Sequence, residues 1–170
     1  LNRIQEYEAL FDESTVFLVR SQGVGYAKPE EMINHGVSGP NVRAAGVDYD
    51  VRWAHPYSVY SELDWQHSVE RSSIKGADCY DRYRVRVEEM RMSASMVLQA
   101  LDKMPGGSET YHEPGDPKII AKAPSRAPEG TYGSHHFEDS RGESMFYLAG
   151  GGEGRGKMPY RVSIRSPMFI

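Results

Sequence analysis

The residues best suited to chemistry in this chain are few, and each lacks a companion that its reaction requires. The run Gly151-Gly152-Glu153-Gly154-Arg155-Gly156-Lys157-Met158 comes close to a phosphate-binding loop and follows a strand-like segment. Such a loop needs a hydroxyl after the lysine to hold magnesium, and a helix start that aims its amides at phosphate. Met158 stands where the hydroxyl belongs, Pro159 follows, and the next pattern is that of a strand. A hairpin connection is the reading that fits. No Gly-x-Gly-x-x-Gly lies between a strand and a helix either, so the sequence offers neither nucleotide-binding device.

The histidines and the cysteine offer little more. His135 and His136 are adjacent, with Glu138 and Asp139 close behind, and His112 precedes Glu113. Neighbours on a strand point to opposite faces, so the pair is poorly placed to share one metal. Cys79 is the single cysteine, which excludes an internal disulfide and any Cys-x-x-Cys for zinc or an iron–sulfur cluster. It reads as a small buried residue near a helix start. His-Glu-x-x-His and Gly-x-Ser-x-Gly are both missing. Glu62 and Asp64 beside Trp65 could form a tuned acid pair. A solvated turn is the plainer reading.

Composition narrows the class. Hydrophobic residues make up 39% and charged residues 26% of the 170, an ordinary balance for a domain with a real core. The net charge of −4 argues against a general nucleic-acid binder. Arg82, Arg84, Arg86 and Arg91 are diluted by Asp81, Glu88 and Glu89 and suggest a solvated or subunit-facing helix surface. No apolar run approaches the length of a membrane span, and no signal or transit peptide is visible. The chain starts on Leu1-Asn2-Arg3-Ile4 in helical register, so a piece of a longer protein is expected.

The elements that must position these residues follow from periodicity. Ile4, Tyr7, Leu10 and Phe11 share one face of a first helix over residues 1–11. Thr15 to Arg20 fits a strand or a second helix equally well. Lys28-Pro29-Glu30-Glu31 starts a short helix that Gly36 ends. Residues 37–75 show little periodicity and predict an irregular segment that packs on a partner or lines a cavity.

The clearest element is a helix over residues 79–104, with Asp78 as N-cap and Pro105-Gly106-Gly107 as its stop. Tyr80, Tyr83, Val87, Met90, Ala94, Val97, Leu101 and Met104 are spaced alternately three and four apart. That seam, roughly 39 Å long at about 1.5 Å per residue, predicts a bundle core. It implies that a carboxylate at Val97 or Leu101 unfolds the domain, and that Glu89, off the seam, tolerates Lys. Residues 107–126 read as a polar loop. Glu143–Leu148 and Tyr160–Arg165 read as two strands, the second half-buried through Tyr160, Val162 and Ile164. The sum is one partial domain over 1–170, mainly α with a small β component.

The stretch Ser38-Gly39-Pro40-Asn41-Val42-Arg43-Ala44-Ala45-Gly46-Val47-Asp48-Tyr49-Asp50-Val51-Arg52 is unlike ordinary loop composition. Its glycines permit close backbone approach, and Arg43 and Arg52 bracket Asp48 and Asp50, so a charge-assisted network can fix it. His55-Pro56-Tyr57-Ser58-Val59-Tyr60 then adds two amphipathic aromatics. Arg43, Asp50, Arg52 and Tyr57 are the candidate residues of a subunit-contact or cavity-supporting element. An internally satisfied loop that only covers the helices is the alternative.

This run resembles the family of the 49-kilodalton subunit of respiratory complex I, the NADH-quinone oxidoreductase. The likeness continues in Gly76-Ala77-Asp78-Cys79-Tyr80-Asp81-Arg82-Tyr83, Arg86-Val87-Glu88-Glu89-Met90-Arg91 and Met104-Pro105. It resumes in Ala127-Pro128-Glu129-Gly130, Arg141-Gly142-Glu143, Pro159-Tyr160-Arg161 and Arg165-Ser166-Pro167. The resemblance implies a long-helix bundle with a C-terminal β-hairpin, like the large subunit of nickel–iron hydrogenases. It implies a component of NADH-quinone oxidoreductase that meets the subunit carrying the terminal iron–sulfur cluster, and the 30-kilodalton subunit, and helps enclose quinone. FMN, NADH and the iron–sulfur clusters belong to the parent complex, and this chain is expected to bind no cofactor or metal itself. The family's quinone-facing His and Tyr are expected upstream of Leu1, so no catalytic residue is assigned. The implied location is the cytoplasmic face of a prokaryotic inner membrane.

Two departures keep a second family open. Ala149-Gly150-Gly151-Gly152-Glu153-Gly154 replaces the Val-Ser-Asp-Gly turn of many relatives, and the stretch between Pro105 and Ala127 also differs. With His55-Pro56-Tyr57, these are similar to membrane-bound nickel–iron hydrogenases and archaeal deazaflavin-linked dehydrogenases. Hydrogenases need two Cys-x-x-Cys pairs near the ends of the full subunit, so the flanking sequence separates the two readings.

Overall fold

The structure, a computed structural model, describes residues 2–65, 77–104, 128–152 and 158–169. The expected loop over 107–126 therefore lies outside the described residues. Helices α1 (Asn2–Asp12) and α2 (Thr15–Ser21) open the chain. The ambiguous segment after Asp12 is helical because Ser14 caps it, its hydroxyl accepting from Phe17 N at 3.3 Å. Phe17 also packs on Phe11 and Tyr83, each at 5.1 Å between ring centroids. Helix α3 (Pro29–Asn34) has Pro in its first turn and is followed by Gly36 at φ 71°, as its sequence signals require.

Part of the segment expected to be irregular is helical. It holds α4 (Pro40–Ala44), α5 (Val51–Ala54) and a 3-10 turn at Tyr60–Glu62. Helices of four or five residues make barely one turn, which is too little for periodicity to register. A small core joins Met32 of α3 and Val42 of α4 to Ala45 and Ala77, with Ala27, Val37 and Val47 against it. Glu62 and Asp64 are exposed, as a solvated turn requires.

The long helix α6 runs Cys79–Lys103. Asp78 and Asp81 cap it reciprocally: Asp81 N donates to Asp78 Oδ1 at 2.9 Å, and Asp78 N to Asp81 Oδ2 at 3.4 Å. Asp78 Oδ2 also accepts from Gly23 N at 2.7 Å, which ties the chain after α2 to the helix start. The expected apolar seam is only partly buried. The buried residues of the helix are Asp81, Val85, Val87 and Met96. Met90 is 44% exposed, and Val97 and Leu101 are each 58% exposed. The inward face is displaced from the seam because Asp81 serves the cap and Glu89 meets a buried arginine. Spacing identifies residues that share a face and says nothing of what covers them.

Three antiparallel-paired strands follow, β1 (Tyr132–Asp139), β2 (Gly142–Ala149) and β3 (Arg161–Arg165), in the order β1-β2-β3. In the β2–β3 pair Met145 faces Arg165 and Ala149 faces Arg161. The glycine-rich run continues into residues 153–157, which lie outside the described residues, and the strand that follows at Arg161–Arg165 argues against a phosphate loop. The expected half-burial of β3 is inverted, with Val162 and Ile164 exposed and Ser163 and Arg165 half-buried. No described element covers the apolar side of that strand.

The chain divides into two compact units. One holds residues 1–102, the hairpin tip His136–Ser144 and the end from Ser166; the other holds 103–135 and Met145–Arg165. The candidate site lies within the first.

Candidate functional site

Short local devices place each charged side chain. Gly39, at φ 73° and ψ −150°, turns the chain into α4, and Pro40 begins the helix, which sets Arg43 one turn later. Gly46, at φ 81°, ends that turn. Asp50 then caps α5, its side chain accepting from Arg52 N at 2.9 Å. The β1–β2 tip is clasped against this region. Glu143 N donates to Ser38 Oγ at 2.9 Å, and a Cβ on Gly39 would lie 2.3 Å from Gly142 Cα. Only glycine at both positions allows that approach.

Arg43 is the centre, and it is 1% exposed. Its Nε donates to Glu89 Oε1 of α6 at 2.7 Å, and Nη1 donates to Glu138 Oε1 of β1 at 2.9 Å. Nη1 also donates to the Tyr49 carbonyl at 3.1 Å and lies 3.2 Å from Asp50 Oδ2. Three stretches of chain thus meet on a guanidinium that a fourth, α4, presents. Arg52 grips Asp50 as a fork, Nε to Oδ1 at 3.0 Å and Nη2 to Oδ2 at 2.7 Å. Its guanidinium also lies over Trp65 at 4.8 Å and Tyr60 at 5.6 Å.

The electrostatics follow from this crowding. Burial alone would lower the Arg43 pKa, but Glu89, Glu138 and Asp50 hold it above the ordinary arginine value. Burial pushes the Asp50 carboxyl up, and Arg52 with Arg43 brings it below the usual range. Glu138 differs. Burial and the neighbouring Asp50 raise its pKa, and Arg43 and the Val51 amide offset only part of that. Three carboxylates face two guanidiniums, so one acid bears the surplus negative charge.

A second branch leaves the hub along the hairpin tip. Tyr49 Oη donates to Glu143 Oε2 at 3.2 Å, and His136 Nδ1 lies 2.5 Å from Glu143 Oε1. Tyr57 Oη accepts from Glu138 N at 3.0 Å, and burial raises its pKa. Among the described residues no group of three His, Cys, Asp or Glu is placed to hold a metal.

The structure brings Arg43, Asp50, Arg52 and Tyr57 together, and the charges of the first three are satisfied within the chain. Arg43 and Asp50 are too deeply buried to make direct contact with another subunit. Sequence reasoning missed Glu89, Glu138, Glu143 and Tyr49. Reading Glu89 as an off-seam surface residue is corrected here: it pairs with buried Arg43. The unspent signal was an arginine within an apolar helix turn, Val42-Arg43-Ala44-Ala45, which demands carboxylates from elsewhere. Cys79 is a half-buried free thiol, its Sγ 3.2 Å from Arg82 Nη2.

Comparison with known proteins places the chain. The family model described as respiratory-chain NADH dehydrogenase, 49 Kd subunit, matches residues 1–170. A NADH-quinone oxidoreductase subunit of Flavobacterium johnsoniae is 39% identical over 98% of this chain and 43% of its own length. Its counterpart in Syntrophobacter fumaroxidans is 38% identical over 99% of this chain and 41% of its own. A chain in the solved membrane-bound sulfane sulfur reductase, an archaeal respiratory membrane complex, superimposes with a TM-score of 0.76 at 32% identity. That match covers 98% of this chain and 42% of the other. The chain therefore spans less than half the length of these relatives.

Proposed function

This chain belongs to the family of the respiratory-chain NADH dehydrogenase 49 Kd subunit, and on that premise we propose that it is part of an electron-transfer subunit of a membrane-associated, quinone-reducing complex. The carrying observation is the family match over all 170 residues. In this reading, partner subunits supply the flavin, NADH oxidation and the terminal iron–sulfur cluster, and the parent subunit helps enclose the quinone. The chain holds none of these groups itself and supplies scaffold. Its parent works at the cytoplasmic face of the membrane, against the cluster-bearing and 30-kilodalton subunits; no helix among the described residues is long and apolar enough to cross it.

The role of the Arg43 hub in this reading is to hold residues 38–60 in one shape behind the cavity wall. Arg52 and Tyr57 lie at its half-buried edge, where that shape is passed outward. The test is Arg52→Lys in the assembled complex, which keeps the charge and loses the fork on Asp50. Quinone reduction is expected to fall about tenfold while NADH oxidation by hexacyanoferrate is unchanged. Equal rates with both acceptors, at wild-type level, would remove the hub from quinone chemistry.

A second reading has one specific support, the 32% identity to a chain of the sulfane sulfur reductase complex. There the parent would pass electrons to an acceptor other than quinone. Activity of the purified parent complex with polysulfide, and none with quinone, would select it. The third possibility, a nickel–iron hydrogenase, requires Cys-x-x-Cys pairs in the flanking parent sequence.

A further inference from the structure

The branch that runs from the hub to the hairpin tip carries more negative charge than the two guanidiniums offset. Asp50, Glu89 and Glu138 share Arg43 and Arg52. Glu143 adds a fourth carboxylate through Tyr49, whose carbonyl accepts from Arg43 Nη1 at 3.1 Å and whose hydroxyl donates to Glu143 Oε2 at 3.2 Å. Burial first, and then Asp50, raise the Glu138 pKa against the pull of Arg43. A further cation on this branch would relieve the imbalance.

His136 is placed to supply it. Its Nδ1 lies 2.5 Å from Glu143 Oε1. An ionised carboxylate only accepts, so Nδ1 carries the hydrogen of that bond. The His136 side chain is 42% exposed and that of Glu143 is 12% exposed. Water therefore reaches the imidazole and exchanges its proton without opening the fold, while the carboxylate that it faces stays mostly dry. A bond from a charged imidazole to a carboxylate is roughly twice as strong as one between neutral groups. Histidine is also the side chain whose ordinary titration falls near neutral pH, at about 6.5.

The pair sits where the hairpin is fastened to the rest of its unit. His136 is on β1 and Glu143 on β2. Glu143 N donates to Ser38 Oγ at 2.9 Å, and the adjacent Gly142 lies against Gly39. Two residues along β1 from His136, on the same face, Glu138 accepts from Arg43 Nη1 and from the Val51 amide. The titratable and charged groups linked to the imidazole are thus Glu143 of β2, Tyr49 between α4 and α5, and Glu138 of its own strand, with Arg43 and Asp50 behind them.

We infer that His136 is a proton-operated clasp: charged, it pairs with Glu143 and fastens the β1–β2 tip onto residues 38–50, and neutral, it lets the tip loosen. The charged imidazole has this partner in the folded chain and not in the unfolded one. The extra stability is therefore present below about pH 6.5 and is lost as the pH rises toward about 8. The clasp is independent of the electron acceptor that the parent uses.

Hydrogen–deuterium exchange of the intact parent complex tests the clasp at the amide that it guards. After correction for the intrinsic pH dependence of exchange, protection of the Glu143 amide is expected to fall about tenfold between about pH 6 and pH 8. The Val85 amide, within α6, should keep its protection over the same range. His136→Gln sits at a half-exposed position, keeps a hydrogen-bond donor and removes the titration, so its protection should be flat and at the alkaline level. Glu143→Gln keeps an acceptor for Tyr49 without the charge and should be flat as well. A flat profile in the unaltered complex would overturn the proposal. A slope that survives in His136→Gln would do the same by assigning the titration to Glu138 or another group. So would a slope that survives in Glu143→Gln, or a Val85 amide that loosens in parallel.

Discussion

The two faces of α6 differ in what covers them: one buries a carboxylate among apolar side chains, and the other leaves apolar side chains exposed. One face holds Asp81 and Val85 inside and sends Glu89 to Arg43 in the interior. The other leaves Val97, Leu98 and Leu101 more than half exposed. Asp81 lies within beside Val85, Val87 and Met96, and three hydrophobic side chains lie without, all on one helix. Residue type does not decide this; available partners do. Asp50 and Glu138 enter because two guanidiniums meet them, and the apolar row stays out because no described element lies against it.

That contrast can be broken at its stronger end first. Arg43→Ala strands Asp50 and Glu138 without their shared cation in a water-poor site. The expected cost is about 3–5 kcal/mol, read as a large fall in the urea midpoint of the chain. A loss below about 1 kcal/mol would mean that water or a rearranged Arg52 replaces it. The effect falls on the chain's own fold, not first on assembly, because the guanidinium joins four stretches of chain.

Glu89→Lys is the next step down. It removes a carboxylate at 2.7 Å from Arg43 Nε and places a cation there instead. The Glu89 side chain keeps some solvent contact, so the expected cost is smaller, roughly 2 kcal/mol. Periodicity alone expects almost none. A thermal midpoint indistinguishable from that of the unaltered chain would return Glu89 to the surface.

The smallest effect is expected on the opposite face. Val97→Asp adds a charge to an exposed position, and the stability of this chain should change by no more than about 0.5 kcal/mol. Periodicity expects unfolding. A cooperative loss of structure by circular dichroism would show that the row is covered within these 170 residues, and the contrast between the two faces would vanish.

Several elements were legible in the residues because their signals are local. Asp78 before an apolar-periodic run and Pro105 after it bound α6, and the Lys28-Pro29-Glu30-Glu31 start bounds α3. Alternation marked β3, residues 143–148 read as a strand, and Met158-Pro159 argued against a phosphate loop from the residues alone. The short helices α4 and α5 were not legible, since one turn gives no period. The grouping of Arg43, Asp50 and Arg52 was visible as opposite charges close along the chain. Its completion was not.

Glu89 lies 46 residues from Arg43 and Glu138 lies 95 from it, so only the returning chain brings those carboxylates to the guanidinium. The same holds for the direction in which α6 turns. A spacing of three and four defines two opposed faces from the covalent geometry of the helix. Which of them points inward depends on the free energy of what lies opposite, here an arginine buried on α4 and a cap at Asp78, and tertiary contacts alone supply that term.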